Sequence, residues 1–351
     1  MPDPRALHKG RGAVTNPTNR FERFSYEPDP DYVADEISPS TQFFKDPSRS
    51  ILTTNDSPDV AFEVSINPYR GCEHGCVYCF ARPTHEYLGF SAGLDFETKI
   101  MVKEDAPRLL REELASRKWV PKVVAMSGVT DPYQPIERKL RITRGCLEVL
   151  LDCRNPVIII TKNHLVTRDL DLFAELARFQ AVAVFVSITT LDASLARKME
   201  PRTASPELRL EAVETLARAG VPTGVMVAPV VPAITDHEMP AILAEAGKRG
   251  AQFAGFTMLR LPWSVASIFE AWVDEHFPDR REKILNRVRE LRDGKLNDPR
   301  WQSRMRGEGV FARQMEALFE VSKRKAGIGD RKLDLTTEHF RRPPGPQGSL
   351  F

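Results

Sequence analysis

Val64-Ser65-Ile66-Asn67-Pro68-Tyr69-Arg70-Gly71-Cys72-Glu73-His74-Gly75-Cys76-Val77-Tyr78-Cys79-Phe80 carries three cysteines in a C-x3-C-x2-C spacing directly after a short β-rich run. The bend Pro68-Tyr69-Arg70-Gly71 separates strand from cysteines, and Gly71 and Gly75 suit a loop that bends tightly around a bound group. Thiolates are the ligands iron–sulfur clusters prefer, and a four-iron cluster normally takes four. Three close cysteines can wrap one face of a cubane and leave its fourth iron open, able to chelate the amine and carboxylate of a small molecule. A structural zinc site is the competing reading, since zinc favours paired C-x2-C ligands closed by a fourth Cys or His. His74 is at hand for such a shell, but its position between two ligands makes the geometry awkward. Cys146 and Cys153 stand seven apart in a helical pattern and read as ordinary buried thiols.

Outward from this loop, short β-rich runs alternate with amphipathic stretches. Strands are expected at 61–67, 122–127, 157–162, 182–189, 223–230 and 252–259. Helical patterns lie between them at 105–118, 143–153, 167–179, 206–219 and 236–249. Ser205-Pro206 opens one helix, Gly220 follows its end, and Gly250 follows another. Strands joined by helix-length crossovers pair in parallel. Six such units are two short of an eight-fold barrel, so the fold class is α/β, a partial (β/α)6 barrel whose strand ends face the site. Residues 1–58, rich in Pro, Arg, Asn and Asp, read as an extended N-terminal arm. Residues 59–262 form the barrel, 263–335 a helical C-terminal extension with helices at 264–276, 280–292 and 311–325, and 336–351 a Pro/Gly-rich tail.

Composition sets the class. The 351 residues are 42% hydrophobic and 28% charged with a net charge of +2, which fits a globular protein and says little about partners. No run of roughly 18 apolar residues marks a membrane span, and the N-terminus lacks the apolar core of a secretion signal. Five cysteines, three of them within eight residues, do not form a disulfide framework. A cytoplasmic protein that keeps its thiols reduced is the expectation.

The cysteine loop after the first strand, with Tyr78 before its third cysteine, resembles the signature of the radical S-adenosylmethionine superfamily over roughly residues 60–260. A second run, Met126-Ser127-Gly128-Val129-Thr130-Asp131-Pro132-Tyr133-Gln134-Pro135-Ile136-Glu137, resembles the branch related to spore photoproduct lyase, the DNA-repair-photolyase-like proteins. The N-terminal Gly10-Arg11-Gly12, Asn16-Pro17 and Arg20-Phe21-Glu22, and the closing Ser349-Leu350-Phe351, are similar to that branch as well. The resemblance implies a [4Fe–4S] cluster on Cys72, Cys76 and Cys79 and S-adenosylmethionine as cofactors. It implies reductive cleavage to a 5′-deoxyadenosyl radical that abstracts hydrogen from a substrate, and an electron donor such as flavodoxin or ferredoxin. The cofactors carry that chemistry, and the protein orients them.

By the same resemblance the cofactor-binding residues are Tyr78, Ser127, Gly128, Asp131, Lys162, Ser187 and Arg202. Ser127 and Gly128 end the second strand, near the methionine amine. Asp131 is a second candidate for that amine, or with Pro132 simply opens a turn. Lys162 ends the third strand and would hold the cofactor carboxylate by a charge-assisted hydrogen bond. Ser187 sits on the fourth strand, where period two places it and Thr189 on one face. Glu200 and Arg202 are expected as an acid–base pair before the fourth helix. Val227-Ala228-Pro229-Val230-Val231-Pro232 ends the fifth strand, where adenine would lie. The lyase returns hydrogen through a cysteine near the end of its second strand, and this chain has Met126-Ser127-Gly128 there.

Residues 279–306 hold ten Lys/Arg against five acids, a charge that can track phosphates or simply solvate helix faces. Nucleic acid is therefore a candidate partner. Gln347–Phe351 resembles the Gln-Leu-x-Leu-Phe peptide that docks on the bacterial sliding clamp, with Gly348 in place of a leucine, and the competing reading is a tail that folds back and buries Leu350 and Phe351 on its own barrel. The reading from another class is a non-catalytic iron–sulfur or zinc-binding module for electron transfer or nucleic-acid binding.

Overall fold

Four valines from four consecutive expected strands meet in one row: Val64 pairs with Val124, Val124 with Val157, and Val157 with Val182. All four are buried, as β-branched side chains on a pleated surface favour. The computed structural model describes residues 10–22, 40–60, 62–330 and 332–344. Its strands are β1 (Gln42–Lys45), β2 (Leu52–Thr54), β3 (Val64–Ile66), β4 (Tyr69–Arg70), β5 (Lys99–Val102), β6 (Val124–Met126), β7 (Val157–Thr161), β8 (Val182–Ser187), β9 (Thr223–Val230) and β10 (Phe253–Met258). The order β10-β9-β8-β7-β6-β3-β2 makes one seven-stranded sheet, parallel throughout except for β2, which lies antiparallel on β3.

The six expected units thus form the α/β sheet as read, because each strand is followed by a crossover long enough to return it parallel. Ser205 caps the helix Pro206–Arg218 by accepting from the Leu208 N–H, and Asp192 caps Ala193–Met199 from the Ser194 N–H at 2.7 Å. The segment after β7 differs from a single helix. Asn163 accepts from the Leu165 N–H and starts a 3₁₀ turn, His164–Asp169, before the α-helix Leu170–Ala177.

One sheet face is packed under helices, with Val157, Ile159, Val182, Val184 and Val225 fully buried there. Each such side chain contributes roughly 1.5–3 kcal/mol. By period two the other face carries Ile158, Ile160, Phe185, Met226 and Thr257, all half-buried, and continues to Lys162 and Ser187 at the strand ends.

Two short strands stand in the stretch read as an arm. β1 joins β5 and β4 in a three-stranded sheet beside the cysteine loop, and β2 guards the edge of the main one. At four and three residues they are too short to show periodicity. At the far end, Trp301–Arg306 spans both ends of the open sheet. Arg306 lies over Phe256 of β10, and Arg304 pairs with Asp59 and Ser57 in the loop before β3. The described part of the tail is a strap, with the Arg341 N–H donating to Cys153 O and Arg342 reaching Leu114 O and Trp119 O. Gln347–Phe351 lies outside the described residues. Among the described residues, no helix is long and apolar enough to cross a membrane.

Candidate active site

The chain leaves β4 and turns at Gly71, whose left-handed backbone puts the Cys72 N–H onto Phe96 O at 2.9 Å. The loop is then pinned from behind. Arg82, fully buried, donates to Cys76 O at 2.9 Å, to Ala92 O and Gly93 O, and to Glu97 at 2.5 Å. Glu97 in turn accepts from the Gly12 and Ala13 N–H groups at 3.0 and 2.8 Å. A Cβ on Gly12 would fall onto the Gly75 carbonyl oxygen, so the N-terminal Gly-Arg-Gly lies flat against the loop.

The second motif is a brace for the same loop. Thr130 Oγ1 donates to Tyr69 O, and Gln134 accepts from the Glu73 N–H at 3.0 Å while donating to Gly71 O. Glu73 accepts from the Ile136 N–H at 2.8 Å, and Glu137 accepts from Tyr69 Oη at 2.5 Å and pairs with Arg168. Asp131 accepts from Thr161 Oγ1, the Tyr133 N–H and the Lys162 N–H at 2.7, 2.9 and 2.8 Å, and faces His74 Nδ1 at 3.4 Å. Its lone pairs are committed within the fold. The bond to Tyr133 is the turn that Asp131-Pro132 opens.

At the strand ends a polar group gathers beside the thiols. Lys162 Nζ donates to Ser187 Oγ at 2.7 Å and Ala228 O at 2.8 Å, and lies 3.8 Å from Glu200 and 5.9 Å from the Tyr78 ring. Burial holds its pKa down to about 8. Tyr78 Oη donates to Glu200, and Thr189 Oγ1 donates to the same carboxylate at 2.6 Å. The expected pairing of Glu200 with Arg202 is corrected here. Glu200 is buried against Arg209, which also holds Ser187 O and Thr203 Oγ1, while Arg202 pairs with Glu73 at 3.3 Å. A buried carboxylate takes the partner that can be buried with it. Arg202 touches Thr41 as well, and none of its contacts is with the thiols or Lys162. Ser127 ends β6 at φ 107°, a conformation L-residues rarely adopt. Gly128 follows, with the Ser65 side chain 3.2 Å from where a Cβ would stand.

Burial first raises the pKa of all three cysteines, followed by the charge of Asp131 for Cys72 and of Glu200 for Cys76. Cys72 responds to both other cysteines and Cys76 to Cys79, while Lys162 pulls Cys76 and Cys79 down. Cys72 and Cys76 are buried and Cys79 half-buried, a setting in which thiolates are favoured by added positive charge of the kind bound iron supplies. Among the described residues no three His, Cys, Asp or Glu side chains converge on a single point. A cubane does not require them to, because each thiolate binds a different iron. The residues present fit the group.

Sequence reasoning missed Arg82, Glu97 and Arg209, and it reached Gln134 only as part of a motif without its contacts. Each acts through a fold-made contact that leaves no local spacing signal.

Residues 66–246, just over half of the chain, match the family model described as the Radical SAM superfamily. An uncharacterized protein of Mycobacterium tuberculosis is 37% identical over 72% of this chain and 75% of its own length. One of Methanocaldococcus jannaschii is 31% identical over 64% and 80%. Among solved structures, a spore photoproduct lyase variant superposes with a TM-score of 0.54 at 18% identity, covering 81% of this chain and 78% of that one, a likeness of fold. Superfamily members use a [4Fe–4S] cluster and S-adenosylmethionine. On the extent of the match and the thiol loop that anchors it, the chain belongs to the Radical SAM superfamily.

Proposed function

We propose that this protein cleaves S-adenosylmethionine reductively at a [4Fe–4S] cluster on Cys72, Cys76 and Cys79 and directs the hydrogen abstraction that follows at nucleic acid, as a photolyase-like lyase. The observation that carries the reading is the three-cysteine loop, pinned by Arg82 on Cys76 O and Gln134 on the Glu73 N–H, in a chain whose Lys162 Nζ is held at the strand ends by Ser187 Oγ and Ala228 O. When bound, the cluster and S-adenosylmethionine supply one electron, the broken C5′–S bond and a 5′-deoxyadenosyl radical.

The chain's own residues then have separate tasks. Lys162 has two of its N–H groups on Ser187 Oγ and Ala228 O, and with Glu200 paired at 3.8 Å, beyond hydrogen-bond distance, the third would hold a cofactor carboxylate. Ser127 and Gly128 present backbone at the end of β6. Asp131, saturated internally, positions Lys162 and His74. Tyr78 and Ser187 keep Lys162 in place through Glu200 and Ala228 O. The support for nucleic acid is the basic segment 279–306 and the branch resemblance, and a reductase such as flavodoxin or ferredoxin would deliver the electron. Gln347–Phe351 would dock on a sliding clamp. Fluorescence anisotropy should show micromolar binding that is lost in Leu350→Ala/Phe351→Ala.

Anaerobic reconstitution with iron and sulfide, then reductant and S-adenosylmethionine, should yield 5′-deoxyadenosine. A stable zinc protein yielding none would support the binding module instead. Lys162→Met should leave the cluster assembled and weaken S-adenosylmethionine binding by about 2–5 kcal/mol. Unchanged affinity places Lys162 outside the site. Deuterium transfer from labelled oligonucleotides to 5′-deoxyadenosine tests the substrate class. Repair of spore photoproduct should be inefficient, because a serine O–H at Ser127 donates hydrogen atoms far less readily than a thiol.

A further inference from the structure

The basic segment does not spend its charge evenly. Arg281 pairs with Asp274 and Glu282, Arg287 with Glu290, and Arg300 with Asp298 and Glu308. The first two are solvated pairs of the helix Arg281–Glu290 and its neighbour, and the third lies in the loop that follows, with Asp298 buried. Arg292, Arg304 and Arg306 lie instead at the seam between the two ends of the sheet, where residues 301–306 cross from β10 to the loop before β3.

Arg260, two residues beyond β10, stands in that seam. Its guanidinium lies 5.1 Å from the centre of the Phe80 ring, and Phe80 directly follows Cys79. Its polar contact is Nη1 to Met305 Sδ at 3.4 Å, and its buried Nε has no partner. Among the described residues no carboxylate lies within ion-pair range of it. Asp59, whose charge does reach Arg260, is committed to Arg304 and to the Gln302 N–H. Arg292 sits alongside with its own Nε buried and unpartnered, holding Leu259 O and Ser303 O at 2.6 and 2.5 Å. Burial, then the charge of Arg304, brings Arg260 down to about 10, and burial, then the charge of Arg260, does the same for Arg292. Two aromatic rings flank these cations, each about half exposed: Phe80 under Arg260, and Trp301 with Arg304 at 4.0 Å.

A desolvated guanidinium without a counter-ion is expensive to keep. Elsewhere this chain gives each deeply buried Arg a buried Glu, as at Arg82 and Arg209. An arginine left short beside the third cysteine is a socket for charge from outside. Exposed rings next to arginines are also the arrangement that stacks a base while its phosphate is held.

We infer that Arg260, with Phe80 and Trp301 at its sides, is the receptor for a phosphate borne next to a planar ring on the substrate, a nucleotide unit. The inference rests on the reading of the strand-end group as the active site.

The test uses the full chain with its cluster reconstituted and no S-adenosylmethionine, titrated calorimetrically with thymidine 5′-monophosphate, thymidine, inorganic phosphate and a ten-residue oligothymidylate. The monophosphate should bind at least tenfold more tightly than thymidine, and Arg260→Met should remove that difference while Arg281→Met retains it. A free nucleotide binding as well as the oligonucleotide identifies a nucleotide substrate, and a large gain with the oligonucleotide identifies a strand. Either result supports the inference. Equal binding of thymidine and its monophosphate, binding by none of the probes, or an unaltered preference in Arg260→Met overturns it. Thermal melting adds a second reading. Without ligand Arg260→Met should melt higher than the parent, and phosphate should raise the melting temperature of the parent alone. A parent that fails to cleave S-adenosylmethionine but keeps the anion preference would sink the proposed reaction and leave the phosphate site standing.

Discussion

Arg82 and Arg209 are as deeply buried as any side chains in the protein, and nearly every donor they carry is answered. Arg82 meets three carbonyls and Glu97; Arg209 meets two carbonyls, Thr203 and Glu200. Arg260 and Arg292, at the seam, have orphaned Nε atoms, and among the described residues neither has a carboxylate within ion-pair range, although the charges of Asp59 and of Asp298 and Glu308 reach them. The first pair holds a loop still. The second leaves hydrogen-bonding capacity unused at the seam between the two ends of the sheet. Satisfied burial marks scaffolding, and unsatisfied burial of a charge marks a place where another molecule completes the structure.

The strongest way to test the scaffold half of this contrast is to remove what it holds. Replacing Cys72, Cys76 or Cys79 by Ala should abolish the cluster's visible absorbance and all 5′-deoxyadenosine formation. Cys146→Ala and Cys153→Ala, both buried among helix side chains, should leave both signals intact. Loss of the cluster in either would mean a different ligand set.

Next is the partner of Arg82. Glu97→Ala strands a buried guanidinium and two N–H groups of the arm, and breaking such a pair costs about 3–5 kcal/mol. Urea unfolding should show that loss, together with reduced cluster occupancy. A change under about 1 kcal/mol would show that Arg82 finds water or another acceptor, which would dissolve the contrast with Arg260.

His85 sharpens the rule from the other direction. It is buried against Phe90 and Phe96 with both ring nitrogens unpartnered, yet it lies on the scaffold side. Burial lowers its pKa from 6.5 to about 4, so it stays neutral near pH 7. Between those values the unfolded chain binds the proton and the folded chain does not, so stability falls as pH drops through this window. The full loss is about 3 kcal/mol. His85→Phe should flatten the acid limb of the stability curve between pH 6.5 and 4, and an unchanged limb would assign it to other groups. An orphaned imidazole can shed its charge at neutral pH, whereas an orphaned guanidinium cannot.

What could be read from the sequence follows the range of the interactions. Hydrophobic runs, Ser205-Pro206 and the cysteine spacing act within a few residues, so the six parallel strands and the thiol loop were legible. The roles of Thr130, Gln134 and Glu137 were not. They reach back more than sixty residues to Tyr69, Gly71 and Glu73, and a motif shows that residues recur without showing what they touch. Arg202 was misassigned because nearness along the chain stood in for nearness in space. Glu200 had a better-buried partner nine residues further on, one helix turn inside Pro206–Arg218. Arg260 had no signal at all, because its meaning lies in contacts that are missing.

The strap over the helices bears on the order in which the protein can be completed during synthesis. The carbonyls at the ends of Ala106–Ala115 and Ile142–Cys153 are left over by their own helices and receive Arg342 and the Arg341 N–H. Those donors are made 188 and 228 residues after the acceptors. A ribosome-bound chain can therefore build its sheet and load its thiol loop while two helices still end in water. Only the stretch that carries Arg341 and Arg342 shuts them, so a chain broken off before it would leave those two helix ends open to water and proteases.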